Sequence, residues 1–174
     1  TSLNYEILDI LENLNCVVRI NVSIDGNPKL NDYIRQGSQW DQIEQNLAIL
    51  TTKYKNIKIG CNSTISALNV GYVCETIDFL ELLQTKYGFK FSIFLSSIVL
   101  QDHASASNLP DDIKNYYIEK INSNTKTDFT LSNGKMHIDS ALSLLKTPIK
   151  ENNRLKEFIR TFDETVGTNA MDLY

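Results

Sequence analysis

Residues 17–40 read VVRINVSIDGNPKLNDYIRQGSQW, and the fold turns on how that stretch is read. Its first half alternates. Cys16, Val18, Ile20, Val22 and Ile24 share one side of an extended chain, while Arg19, Asn21, Ser23 and Asp25 share the other. Asp25-Gly26 ends the run. A polar loop carrying Arg35 follows, and a helix starts behind Ser38, with Asp41 three residues on as in a weak capping box. Trp40, Ile43, Leu47, Leu50 and Tyr54 then recur at helical spacing. Strand, polar loop, helix is the arrangement in which α/β proteins hold small charged ligands.

The unit recurs twice. A second strand over about 56–66 places Ile57, Ile59, Cys61 and Ile65 on one face and Lys58, Asn62, Thr64 and Ser66 on the other, with Gly60 among them. A helix over 73–87 follows and stops at Gly88. A third strand over about 89–100 has Phe89, Phe91, Ile93, Leu95 and Val99 on one side and a mixed opposite face. A polar loop over 101–108 leads to Leu109-Pro110 and a helix running to about Ile121; two more helices are expected over 134–146 and 151–166, the last with Leu155, Phe158, Ile159 and Phe162 inward. Ahead of everything, residues 1–14 read as a helix with a stripe of Leu3, Ile7, Ile10, Leu11 and Leu14. Helices between strands imply parallel pairing with right-handed crossovers. The polar face of the first two strands fits two arrangements. In a barrel it lines the interior around a ligand or water; in an open sheet with helices on one side it is wet.

Composition narrows the function classes. Among 174 residues 42% are apolar, enough for a packed core, and the net charge of −4 shows no basic excess, which argues against nucleic acid and acidic membranes as partners. Cys16, Cys61 and Cys74 are an odd number and suggest free thiols in a reducing, cytoplasmic setting. No segment has the long apolar run of a membrane span. The histidines and cysteines have no metal-ligand spacing, and neither a Gly-rich phosphate loop nor a serine elbow is present.

Two ranks of polar residues are candidates for a site. Ser23 and Asp25 sit at the carboxyl end of a strand and offer a hydroxyl and a carboxylate, suited to a ribose or an amine; Arg35 offers a planar fork for a carboxylate. The plainer reading is an Asp-Gly turn with a surface arginine. Asn62, Thr64, Ser66 and Asn69 form the second rank, which completes the same cavity or else is a solvated face with a helix-capping asparagine. Asp102 and His103, with Asp25, make a weaker acid–base alternative, dropped if His103 and Asp25 lie far apart.

Ser23-Ile24-Asp25-Gly26, then Asp32-Tyr33-Ile34-Arg35-Gln36-Gly37 and Trp40, resemble the radical S-adenosylmethionine enzymes, above all the twitch-domain subgroup, many of them phage-encoded. Thr64-Ile65-Ser66-Ala67-Leu68-Asn69-Val70, Asn108-Leu109-Pro110-Asp111-Asp112-Ile113-Lys114 and Phe162-Asp163-Glu164-Thr165-Val166-Gly167-Thr168 are similar to it too, in the family's order. The resemblance implies an α/β fold: a partial parallel (β/α) barrel fragment of about three βα units followed by C-terminal helices. Residues 1–123 would be the C-terminal half of the barrel and 124–174 a helical C-terminal region. It also implies that S-adenosylmethionine is the cofactor. Ser23 and Asp25 would lie near its ribose, Arg35 would pair with its carboxylate, and Asn69 and its neighbours would lie near the adenosine. The chain departs from the family in lacking the CxxxCxxC loop that holds a [4Fe–4S] cluster. The reading is thus of an enzyme fragment that supplies part of the pocket and is not catalytic alone, its partner being a missing N-terminal half. The alternative is a stand-alone α/β binding module, paired with a second copy.

Overall fold

The structure, a computed structural model, describes residues 2–88, 92–97, 104–131, 133–149 and 153–167. The alternating run becomes strand β1 (Val18–Ser23), which pairs in parallel with β2 (Ile57–Ile65), Val18 lying opposite Ile57 and Ser23 opposite Asn62. A third strand, β3 (Ser92–Ser97), pairs in parallel with the other side of β2 from Gly60–Ser92 to Ile65–Ser97. The order β1-β2-β3 puts β2 in the centre, and the three carboxyl ends meet along one rim. Helix α1 (Tyr5–Glu12) precedes the sheet, α2 (Pro28–Ile34) and α3 (Trp40–Lys53) lie between β1 and β2, and α4 (Val73–Tyr87) leads towards β3. Helices α5 (Asp111–Asn124), α6 (Gly134–Lys146) and α7 (Asn153–Val166) complete the chain.

One face of the sheet is covered. Ile57, Ile59, Cys61, Ser63 and Ile65 of β2 are all buried, beneath helices whose inward residues are Trp40, Leu47 and Leu50 of α3 and Val73, Ile77, Leu80 and Leu83 of α4. The Trp40 and Phe79 rings meet edge to face at 5.1 Å, a geometry that adds to simple area burial. The same apolar cluster extends to Ile121, Ile138, Leu145 and Leu155, so helices from both ends of the chain share one core. Packing between β2 and α4 leaves a void of only about 10 Å³. Gly88 ends α4 with φ of 68°, as expected of a left-handed C-cap. Gly71 is required by close approach: a Cβ there would lie 2.3 Å from the Tyr117 ring.

The expected barrel fragment is overturned. The chain is mostly helical and carries one small open parallel sheet, with no barrel of βα units among the described residues. The physical reason lies in the polar face. Arg19 and Asn21 of β1 and Lys58 and Asn62 of β2 are exposed; they face water rather than an enclosed chamber, and β1 and β3 remain edges.

Three local expectations also change. The polar loop before Arg35 contains α2, started by Asn27, whose side chain accepts from the N–H of Leu30, with Pro28 in the first turn. Ser38 does not cap α3; Asp32 Oδ2 accepts the Trp40 N–H at 2.9 Å instead. Helix α1 turns Leu8 inward, with Leu3 and Leu11 packed beside it, and leaves Ile7, Ile10 and Leu14 exposed. It is tied down through Asp9, which accepts from Lys53 and Tyr54, and through Glu12, which accepts the N–H groups of Lys55 and Asn56. Among the described residues no helix is long and apolar enough to cross a membrane.

Candidate functional site

The rim where the parallel strands end is built around Asp25, which is only 3% exposed. Its Oδ1 accepts the Thr64 N–H at 2.7 Å, and its Oδ2 lies 2.9 Å from Arg35 Nη2. Its own N–H donates to Asn31 Oδ1, and its carbonyl accepts from Asn69 Nδ2. A buried carboxylate is tolerated because each oxygen has a donor, one of them cationic. Asn69 is equally committed: Nδ2 also donates to the Thr64 carbonyl, and Oδ1 accepts the Ser66 N–H at 2.8 Å. Ser66 Oγ in turn accepts the Leu68 N–H. Asn31, fully buried, donates to Ser38 Oγ and so joins α2 to the start of the next loop.

Arg35 stands where this network meets open space. It is the C-cap of α2, and its side chain is about one-third exposed. While Nη2 is held by Asp25, its Nε is buried without a hydrogen-bond partner. A guanidinium held on one side and exposed on the other presents its outward N–H groups to an anionic oxygen.

Arg35 lines one of two cavities here, and its neighbours Ile34 and Gln36 line the other. The first, about 450 Å³, is lined by Arg35, Gln36 and Ser23 at its polar end and by Ile20, Ile43 and Leu47 along its apolar wall. The second, about 430 Å³, is lined by Gln36, Ser66, Leu68 and Ala104 and by Phe158 and Phe162 from α7. Gln36 borders both, so the two spaces lie on either side of one loop residue. Mixed apolar walls with a few polar groups, at this size, suit a small molecule.

The seven residues singled out from the sequence divide by role. Ser23 and Arg35 line the first cavity, and Ser66 lines the second. Asp25, Asn69 and the backbone of Thr64 bind the strand ends to one another. Asn62 stands exposed on the open face. Sequence reasoning passed over Asn31, Gln36 and the aromatic side chains of α7. The Asn27-Pro28 pair that starts α2 and the inward stripe of α7 were the available signals.

Asp102 and His103 lie outside the described residues. His137 is buried in α6, lines neither cavity, and has Nε2 without a partner; burial pushes its pKa below the ordinary histidine value. Cys61 and Cys74 are buried and Cys16 is exposed, all three as free thiols. Burial pushes the Cys61 thiol up to about 12, so it stays protonated and is a poor metal ligand. Among the described residues no three His, Cys, Asp or Glu side chains gather as metal ligands would. The donor set at the rim, a fork and hydroxyls, fits S-adenosylmethionine; the scattered thiols do not fit an iron–sulfur cluster.

Comparison with family models, curated proteins and solved structures finds no match to this chain.

Proposed function

We propose that the crevice at the carboxyl rim of the sheet takes S-adenosylmethionine, and that the chain works as one part of a radical S-adenosylmethionine-type enzyme. The observation that carries this reading is Arg35, fixed by buried Asp25, one-third exposed, and lining a cavity of about 450 Å³. The ordered series of motifs supports it from the sequence side. The ligand brings a carboxylate, an amine, a sulfonium and a planar base. Arg35 holds the carboxylate, Ser23 offers a hydroxyl to the polar middle, and the base lies towards Ser66 and Gln36. Asp25 acts through Arg35 and is a positioning residue. The cluster that would cleave this cofactor needs a cysteine loop which this sequence lacks, so no step of that chemistry falls to residues of this chain. Buried free thiols at Cys61 and Cys74 agree with a reducing cytoplasmic setting.

Titration calorimetry tests the reading. S-adenosylmethionine binds the wild-type chain, and Arg35→Gln weakens it about tenfold or more, the worth of one hydrogen bond to a charged group. Methylthioadenosine, which has no carboxylate, binds both proteins equally. No binding by wild type, or equal binding of S-adenosylmethionine by both proteins, contradicts the proposal.

A further inference from the structure

Helix α7 buries its apolar stripe incompletely. Its outer positions Arg154, Lys156, Glu157 and Arg160 are exposed, and its inner stripe is Leu155, Phe158, Ile159 and Phe162. Of that stripe only Leu155 is fully buried. Two large spaces border the helix. One is the rim cavity of about 430 Å³ walled by Phe158 and Phe162; the other, about 730 Å³, is a groove along its side, lined by Leu155, Lys156, Ile159, Arg160 and Asp163 of α7 against Leu109, Pro110 and Ile113. Both spaces open to the surface, and along them the half-buried Phe158, Ile159 and Phe162 make only part of the contact that a fully buried stripe makes. The contrast is with α4, which leaves only about 10 Å³ against β2.

A local polar contact and an aromatic one join α7 to the rim. The buried Tyr33 of α2 donates its hydroxyl to Asp163 Oδ1 at 2.7 Å. The Tyr33 and Phe162 rings meet edge to face at 5.1 Å, and Phe162 stands 5.6 Å from Phe158. Two aromatic rings thus border a cavity whose other walls carry an amide (Gln36) and a hydroxyl (Ser66). A flat ring with hydrogen-bonding edges matches those walls, since its faces stack on the phenyl groups and its edges meet the polar side chains.

We propose that α7 is a cover over the rim crevice: Tyr33–Asp163 is its latch, and Phe158 with Phe162 is its ligand-facing wall, closing on the planar ring of the bound molecule. The ligand identity rests on the reading given above, whereas the latch rests on the Tyr33 contacts alone. A closing ring would replace empty space by contact, so ligand and cover stabilise one another.

Amide hydrogen exchange on the whole chain tests this, with α4 as the internal reference. In wild type α7 exchanges faster than α4. Tyr33→Phe, which deletes the hydroxyl and keeps the ring, speeds α7 about tenfold and leaves α4 unchanged. Saturating adenosine slows α7 several-fold, and Phe162→Leu weakens adenosine about tenfold while the thermal midpoint barely moves. The proposal is overturned if Tyr33→Phe leaves α7 exchanging as wild type does. It is overturned equally if adenosine binds and α7 does not slow. Failure of the S-adenosylmethionine reading looks different: the Tyr33→Phe effect persists, but no ligand binds.

Discussion

At the residue scale the rim depends on one carboxylate. Asp25 stitches the end of β1 to the end of β2 through Thr64, orients Arg35, and is braced from below by Asn31 and Asn69. Asp25→Ala would leave the Thr64 N–H and the Arg35 guanidinium without their acceptor. Removing one partner of a buried, hydrogen-bonded charge pair costs roughly 3 kcal/mol. Asp25→Asn keeps one acceptor oxygen and should cost about half of that. Urea unfolding midpoints measure both; an unchanged midpoint for Asp25→Ala would show that the network is not structural. The role of this residue was half legible. Alternation put Ser23 and Asp25 on one face at a strand end, and the spacing put an arginine nearby. Pattern could not tell whether Asp25 meets ligand or protein, because that depends on Thr64, thirty-nine residues further on.

At the scale of elements, local signals did best where burial and capping agree. Helix α4 was expected over 73–87 and is observed as Val73–Tyr87, with Gly88 in the left-handed region; α6 was expected over 134–146 and is observed as Gly134–Lys146. Helix α2 was missed because its seven residues are polar and too short to show a periodic stripe, although Asn27-Pro28 is an N-cap and first-turn pair. Helix α1 was misoriented: its apolar residues cover more than one face, and tertiary contacts through Asp9 and Glu12 chose Leu8 as the inward one.

Helix α6 also carries a titration. His137 is buried and neutral, with its pKa lowered by desolvation. Below the unfolded-state value of about 6.5 the unfolded chain takes up a proton that the folded chain refuses. The stabilisation from neutral His137 is therefore present above that pH and is lost as pH falls towards the lower folded value. His137→Met should flatten the fall in unfolding free energy between about pH 6.5 and 5. A slope identical to wild type would mean that His137 titrates alike in both states.

At the scale of the whole molecule the parallel sheet was legible and its closure was not. Three apolar-faced runs separated by helices implied parallel pairing, which the sheet shows; its order β1-β2-β3 was not read from the sequence. The barrel came from the resemblance rather than from the runs themselves, whose polar face suited a chamber and open water equally. Exposure of Arg19, Asn21, Lys58 and Asn62 decides for water. We therefore place the proposed ligand at the Arg35–Gln36 loop, in the two cavities that Gln36 borders, and not inside a ring of strands.

Backbone amide shifts followed by NMR during titration with S-adenosylmethionine test that placement most directly. The account predicts that the largest changes fall at Ser23, Arg35, Gln36, Ser66 and Phe162, with the exposed sheet residues Arg19 and Lys58 still. Changes centred on Arg19 and Lys58, or a spectrum that does not move at saturating ligand, would contradict it.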